Sequence, residues 1–137
     1  MVYIQRTEHF CSAHKLENPK WSSEKNHEVF GKCASPNYHG HNYVLTVVVK
    51  GEINPDTGFV MNFTDLKRIL RTEIIDVVDH KNLNTDVDFM SGILTSAENL
   101  VVAFWDILAP EILKNGAELH VIKLEETISN VVEYYGN

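Results

Sequence analysis

Hydrophobic and polar positions along the chain form short stretches that are rich in β-branched and aromatic residues, as in half-buried β-strands. The strongest is NYVLTVVVK, which is β-branched almost throughout and is followed by the turn sequence NPDTG. The last two stretches are separated by Ser129 and Asn130 and predict a hairpin. The predicted strands are Val2 to His9 (continuing towards His14), Asn42 to Lys50, Leu119 to Glu126 and Val131 to Tyr135.

Two other stretches have apolar residues at helical spacing. Asp65 to Val78 predicts an amphipathic helix, with Asn62 or Thr64 as its N-cap. The second helix begins at TSAE, which fits a capping box, and we expect Pro110 to disturb it. Between the first two strands, residues 17–36 are polar and irregular and predict a long loop. The buried stripe of the second helix is predicted to be Val101, Phe104, Trp105 and Leu108.

The order of these elements is β-β-α-α-β-β. Grouping of the helices in mid-chain predicts an α+β fold, in which two helices cover one face of an antiparallel four-stranded sheet. The chain has 137 residues, 44% of them hydrophobic, and this size predicts one domain over residues 1–137.

Charge and composition exclude several classes of function. Twelve Lys and Arg against nineteen Asp and Glu give a net charge of −7 without a basic run, so we expect no nucleic-acid partner. No apolar stretch has the length of a membrane span, and the mixed polarity of residues 1–10 does not resemble a signal peptide. We therefore expect a cytoplasmic protein in which Cys11 and Cys33 are free thiols.

Candidate chemistry first emerges at His39-Gly40-His41, where the predicted loop enters the strongest strand. Residues two apart in an extended chain project to the same face, so both imidazoles can reach one point. His14, at the end of the first strand, is the natural third ligand if the two strands pair. Three neutral imidazoles with an open position suit Zn²⁺ better than Mg²⁺ or Ca²⁺.

An isolated His-x-His sequence is more often a turn with incidental histidines than a metal site. His9, His27 and His120 illustrate this, since each lacks a second histidine at ligand spacing. We assign these three to surface or packing roles. The zinc hypothesis therefore depends on what accompanies the histidines elsewhere in the chain.

Six short motifs occur in order along the whole chain: HFCSAH at 9–14, FGKC at 30–33, NYHGHNY at 37–43, DHKNL at 79–83, EN at 98–99 and ET at 126–127. Their order and combination resemble the 6-pyruvoyltetrahydropterin synthase family from end to end. The five residues between Cys33 and His39 resemble the animal-type synthases more than the bacterial branch. Two positions depart from the family pattern: Cys11 replaces a commoner Ser, and Ser96-Ala97 replaces a Thr-Thr pair of some animal members.

The resemblance implies the tunnelling fold, in which three copies close into a barrel and two trimers stack into a homohexamer. It also implies that neighbouring subunits complete each active site. The implied reaction converts 7,8-dihydroneopterin triphosphate into 6-pyruvoyltetrahydropterin and triphosphate. Zn²⁺ is the implied metal, and Mg²⁺ is expected to accompany the triphosphate substrate.

Carried over by position, the resemblance makes His14, His39 and His41 the zinc ligands and Cys33 the catalytic base. The alternative for Cys33 is a buried structural cysteine. Its place in a polar, Pro-bounded loop six positions before His39 favours catalysis. The same test assigns Cys11 a structural role within a strand.

The resemblance also implies that Asp79 and His80 assist the catalytic cysteine, although the residues alone favour a helix C-terminus with surface charges. Glu126 matches the carboxylate that anchors the pterin, where it would accept two N–H donors. Glu125 is expected to point to the opposite face of the strand.

Two alternatives remain open at this point. 6-Carboxytetrahydropterin synthase is a lyase of the same family that uses the same substrate, and the Cys33 to His39 spacing argues against it. The second is a non-catalytic zinc-binding oligomer, which would not require Cys33, Asp79, His80 and Glu126. The triphosphate site is not identified by any motif, and Lys25 and Lys32 are the candidates.

Overall fold

The computed structural model describes residues 1–137, which form one mixed β-sheet and three helical units. The sheet order is β3-β1-β2-β4-β5, and only the β1–β3 pair is parallel. The strands are β1 Val2–His14, β2 His39–Gly51, β3 Lys81–Asn82, β4 Glu118–Thr127 and β5 Asn130–Tyr134. The α-helices are α1 Ser23–Phe30, α2 Phe63–Leu70, α3 Asp76–Val78 and α4 Ala97–Lys114, and α2 and α3 belong to one continuous helical unit.

The long antiparallel pair of β1 and β2 organises the sheet. Its register runs from Val2 opposite Gly51 to His14 opposite His39. Direct cross-strand partners project to the same face, so even positions of β1 share a face with odd positions of β2. Phe10 and Tyr43 stack on that face with ring centroids 4.6 Å apart, and both are buried. It is therefore the core face of the sheet.

Helices cover this core face. A π-helical turn, Arg71–Ile75, joins α2 and α3, so the predicted helix over 65–78 is confirmed. Asn62 caps its start by accepting the Thr64 N–H. The long helix α4 starts within the predicted TSAE sequence, but its N-cap is Ser96, whose hydroxyl accepts the Asn99 N–H, instead of Thr95. It runs through Pro110 to Lys114. The expected disturbance at Pro110 does not end the helix.

The predicted four-stranded antiparallel sheet with two helices is only partly correct. A fifth strand, β3, lies parallel to β1, and residues 17–36 contain α1 and the 3₁₀ turn Gly31–Ala34. Strand β3 has only two residues, too few for an alternating pattern. Helix α1 has Asn26 as its one buried residue and therefore has no apolar stripe. No helix of the chain has the length and apolar character needed to cross a bilayer.

Candidate active site

Three histidines meet at the end of the core face where β1 ends and β2 begins. His14 and His39 are direct cross-strand partners, and His41 lies two residues further along β2. The three pairs of ring centroids are 4.6, 5.2 and 4.9 Å apart, and one nitrogen from each ring lies within 4.8 Å of the others. The antiparallel register thus brings together the three residues that the sequence selected.

The chemistry of this cluster fits a metal ion. His14 Nε2, His41 Nε2 and both ring nitrogens of His39 are buried without a hydrogen-bond partner. Burial of unsatisfied polar atoms costs free energy unless something binds them. A cation that accepts imidazole lone pairs would satisfy one nitrogen of each ring, so the cluster can hold a metal ion.

A hydrogen bond to the backbone orients the most buried of these rings. His14 is 1% exposed, and its Nδ1 donates to the carbonyl oxygen of Thr95 at 2.8 Å. The Thr95 side chain is fully buried, and its hydroxyl donates to the carbonyl of Lys15 at 3.2 Å. Asn84 accepts the Lys15 N–H and donates to the Lys15 carbonyl. These contacts hold the chain beside His14 against the segment before α4.

The surroundings of the cluster favour neutral imidazoles. The pKa of His14 is lowered to about 4, chiefly by burial and also by the neighbouring His39 and His41, against the raising effect of the Thr95 hydrogen bond. Burial also lowers the pKa of His39, and His41 adds to this effect. Neutral imidazole is the form that binds a metal, so two of the three rings are held in the ligating state near neutral pH.

The carboxylate of Glu126 lies beside the histidines. Its Oε1 is 3.9 Å from His41 Nε2, and it lines a cavity of about 510 Å³ between the start of α4 and the β4–β5 hairpin. Glu125 is the cross-strand partner of Val44 and therefore projects to the other face. Only Glu126 has access to the metal cluster, as the alternation along the strand predicted.

Cys33 is a free, half-buried thiol in the 3₁₀ turn that follows α1. Its carbonyl accepts the Leu16 N–H at 2.7 Å, which ties the turn to the end of β1. Burial raises the pKa of Tyr43, and Glu126 and Cys33 raise it further. Leu16, to which this turn is hydrogen-bonded, also lines the cavity that contains Glu126.

Asp79 and His80 lie between α3 and β3, beside Cys11 of β1. The Asp79 carboxylate accepts the Cys11 N–H at 2.9 Å, and this hydrogen bond lowers its pKa most. His80 has φ of 60° and an exposed side chain, whose Nδ1 is 3.0 Å from Asp79. The side-chain hydrogen bond and ion pair of these two residues involve only each other and the Cys11 backbone N–H. Within one chain, neither residue forms a hydrogen bond or an ion pair with Cys33.

Sequence reasoning missed Tyr43, Thr95 and Asn84. The Tyr43 hydroxyl is buried without a hydrogen-bond partner. The centroid of the Tyr43 ring lies 5.5 Å from that of His41 and 6.4 Å from that of His14. Tyr43 is part of the NYHGHNY motif, so the motif contained a signal for it. Thr95 and Asn84 are distant from the histidines in sequence, and no spacing rule connects them.

The fold and this cluster together define an α+β protein with a histidine triad that can hold a metal ion, next to a cavity lined by Glu126. The model of the family described as 6-pyruvoyl tetrahydropterin synthase matches residues 3–137. This chain belongs to that family. The resemblance inferred from the motifs is therefore confirmed, and with it the tunnelling fold of the single subunit.

Individual relatives agree over nearly the whole chain. A "6-pyruvoyl tetrahydrobiopterin synthase" from Dictyostelium discoideum is 46% identical over 135 residues, covering 98% of this chain and 96% of the relative. The human protein of that name is 42% identical, covering 97% and 90%. A solved structure of Caenorhabditis elegans 6-pyruvoyl tetrahydropterin synthase superimposes with a TM-score of 0.92 at 35% identity, covering 99% and 96%.

Proposed function

We propose that this protein is a zinc-dependent lyase of tetrahydrobiopterin biosynthesis. It converts 7,8-dihydroneopterin triphosphate into 6-pyruvoyltetrahydropterin and triphosphate. The observation that carries the proposal is the cluster of three imidazoles next to Glu126, each with a buried ring nitrogen that lacks a hydrogen-bond partner, in a chain of this family.

His14, His39 and His41 would hold one Zn²⁺ and leave its fourth position open to substrate. When bound, the metal supplies Lewis acidity to the oxygens of the substrate side chain. The protein keeps two of the imidazoles neutral by burial and fixes the His14 ring through Thr95. These features support zinc binding before any substrate arrives.

Glu126 would anchor the pterin ring in the cavity beside the metal. A carboxylate accepts two parallel N–H donors, such as the 2-amino and N3 positions of a pterin. The 3.9 Å between Glu126 and His41 supports this assignment, because it brings the side chain of an anchored pterin close to the metal. The anchor therefore also selects which substrate atoms meet the metal.

Cys33 would be the base that accepts the proton from the substrate side chain, with Asp79 and His80 assisting it. Since Asp79 and His80 form no hydrogen bond with Cys33 in their own chain, they would come from a neighbouring subunit. We therefore include a homohexamer, a dimer of trimers, in the proposal. Two unpaired sheet edges, β3 and β5, support barrel closure by neighbouring copies.

Both cysteines are free thiols, which supports a cytoplasmic location.

The product of the reaction tests the proposal. The purified protein, loaded with Zn²⁺, is incubated with 7,8-dihydroneopterin triphosphate and Mg²⁺, and the pterin product is identified by mass. We expect 6-pyruvoyltetrahydropterin with all three side-chain carbons retained. A product that has lost two carbons would instead identify 6-carboxytetrahydropterin synthase. Unchanged substrate would favour the non-catalytic zinc-binding oligomer.

A further inference from the structure

A second polar cavity, of about 620 Å³, lies between the end of β1 and the segment formed by α1 and the 3₁₀ turn. Asn26 fixes the shape of the α1 side of this cavity. Its amide accepts the Asn18 N–H at 2.7 Å and donates to the carbonyls of Asn18 and Ser22. The charged or titratable side chains at the cavity are Lys15, Glu17, His27 and Lys32.

This cavity is next to the metal cluster. Lys15 directly follows His14, and Lys32 directly precedes Cys33. Leu16 lines the cavity that contains Glu126, whereas Lys15 and Glu17 line the second one. The segment 15–17 is thus the common wall of the two cavities. A substrate whose ring lies beside Glu126 and whose side chain lies at the histidines would extend towards this wall.

The charges at the second cavity suit an anion. Lys32 makes no ion pair, so its ammonium group is free to bind a ligand. Lys15 is 20% exposed and lies 3.1 Å from Glu17, the one carboxylate at the cavity. A chain with a net charge of −7 needs such local cations to hold a polyanion. The Lys15 ammonium also lies 5.0 Å from the centre of the Tyr38 ring. Lys25 makes a similar contact, 4.4 Å from the centre of the Trp21 ring, but does not line the cavity.

We propose that this cavity binds the triphosphate group of the substrate, with Lys15 and Lys32 as its cationic partners. The proposal rests on the proposed function, because it takes the triphosphate from that substrate. Charge-assisted hydrogen bonds from ammonium groups to phosphate oxygens supply the affinity. Glu17 competes with the ligand for Lys15, so removal of its charge strengthens binding.

Binding of inorganic tripolyphosphate to the zinc-loaded protein tests this subsite, with isothermal titration calorimetry in the presence of Mg²⁺. We expect Lys15→Gln and Lys32→Gln each to weaken binding by about tenfold, since each removes one charge-assisted contact. Glu17→Gln should tighten binding by about threefold, because Lys15 is then released. Lys25→Gln is the matched control and should leave the affinity unchanged. Zinc content and circular dichroism establish that every variant is folded.

Turnover of the pterin triphosphate separates the two proposals. If the subsite is correct, the Lys15 and Lys32 variants raise KM in proportion to their loss of tripolyphosphate affinity, while kcat changes less. Full turnover with unchanged KM and unchanged tripolyphosphate binding in the Lys15→Gln/Lys32→Gln double variant would overturn the subsite and leave the function standing. Lysine-dependent tripolyphosphate binding by a protein that does not convert the pterin would support the subsite and overturn the function.

Discussion

The Nδ1 atom of His14 lies 2.8 Å from the carbonyl oxygen of Thr95, at the segment before α4. A carbonyl only accepts hydrogen bonds, so Nδ1 carries the hydrogen and Nε2 presents its lone pair to His39 and His41. Thr95 is 81 residues away from His14 in sequence. The ligating tautomer of a residue on β1 is thus selected by the start of a distant helix.

Removal of the Thr95 hydroxyl should weaken zinc binding without removing a ligand. In Thr95→Val the carbonyl remains, but the hydroxyl bond to the Lys15 carbonyl is lost, and the segment beside His14 loosens. Loss of such outer contacts typically costs 10–100-fold in metal affinity, and we expect about tenfold. Competition with a chromophoric chelator measures this. Thr95→Ser keeps the hydroxyl and should retain wild-type affinity, and equal losses in both variants would contradict a role for the hydroxyl.

Replacement of His39 should abolish stoichiometric zinc binding. His39→Ala leaves two imidazoles, which is one fewer than a catalytic zinc site normally uses. Elemental analysis should find about one zinc per chain in the wild type and far less in the variant. His120→Ala is the control, since His120 contacts the rings of Tyr3 and Tyr135 instead of the cluster. Full occupancy in His39→Ala would remove His39 from the ligand set.

The sequence predicted the histidine cluster because its three members lie on two strong strands. Alternation along β1 and β2 indicated the strands, and the two-residue spacing of His39 and His41 indicated a common face. The sequence pattern could not indicate α1, whose only buried residue is polar, or the contact between His14 and Thr95, which depends on tertiary packing. Tyr43 lay within a quoted motif, but only burial shows that its hydroxyl lacks a partner.

The site of Asp79 and His80 marks another limit of sequence reasoning. The motifs placed both residues in the catalytic set through family resemblance. In the folded chain both residues form hydrogen bonds with the Cys11 backbone, whereas the turn of Cys33 is bonded to Leu16, beyond the end of β1. A pattern within one chain contains no information about which groups a neighbouring copy contributes. The assembly therefore has to be tested by experiment.

The metal-free protein should lose stability as the pH falls from about 6.5 to about 4. The pKa of His14 is lowered to about 4 in the folded chain, so over this range the unfolded chain binds the proton and the folded chain does not. The free energy of unfolding should fall by up to about 3 kcal/mol, and His39 acts in the same direction. Urea unfolding in the presence of a chelator measures this.

The matched variant for this pH dependence is His14→Gln, which lacks the titrating imidazole. Its stability should change less than that of the wild type between pH 6.5 and 5, above the range in which carboxylates titrate. Identical slopes for the two proteins would show that His14 is not held neutral by burial. Added Zn²⁺ should stabilise the wild type, and this effect should diminish as protons compete for the imidazoles.

Glu126→Gln should weaken pterin binding much more than Glu125→Gln. The neutral amide presents one acceptor and one donor group, so it cannot accept both pterin N–H donors, whereas Glu125 projects to the opposite face. We expect KM to rise by about tenfold or more for Glu126→Gln and to stay near the wild-type value for Glu125→Gln. Steady-state kinetics measure both. Similar KM values for the two variants would place the pterin away from this cavity.

Cys33→Ala and His80→Ala should each be inactive alone and should restore activity together. If Cys33 is the base, its loss should reduce turnover by about 10²–10⁴-fold while zinc binding persists. Cys11→Ser should remain active, since the bond to Asp79 uses the Cys11 backbone N–H. When the two inactive proteins are unfolded together and refolded with zinc, some interfaces would pair an intact Cys33 from one subunit with an intact His80 from another. Recovery of a substantial fraction of wild-type turnover is the expected result. Activity that stays at the level of the separate variants, in oligomers shown by mass spectrometry to be mixed, would contradict a site shared between subunits.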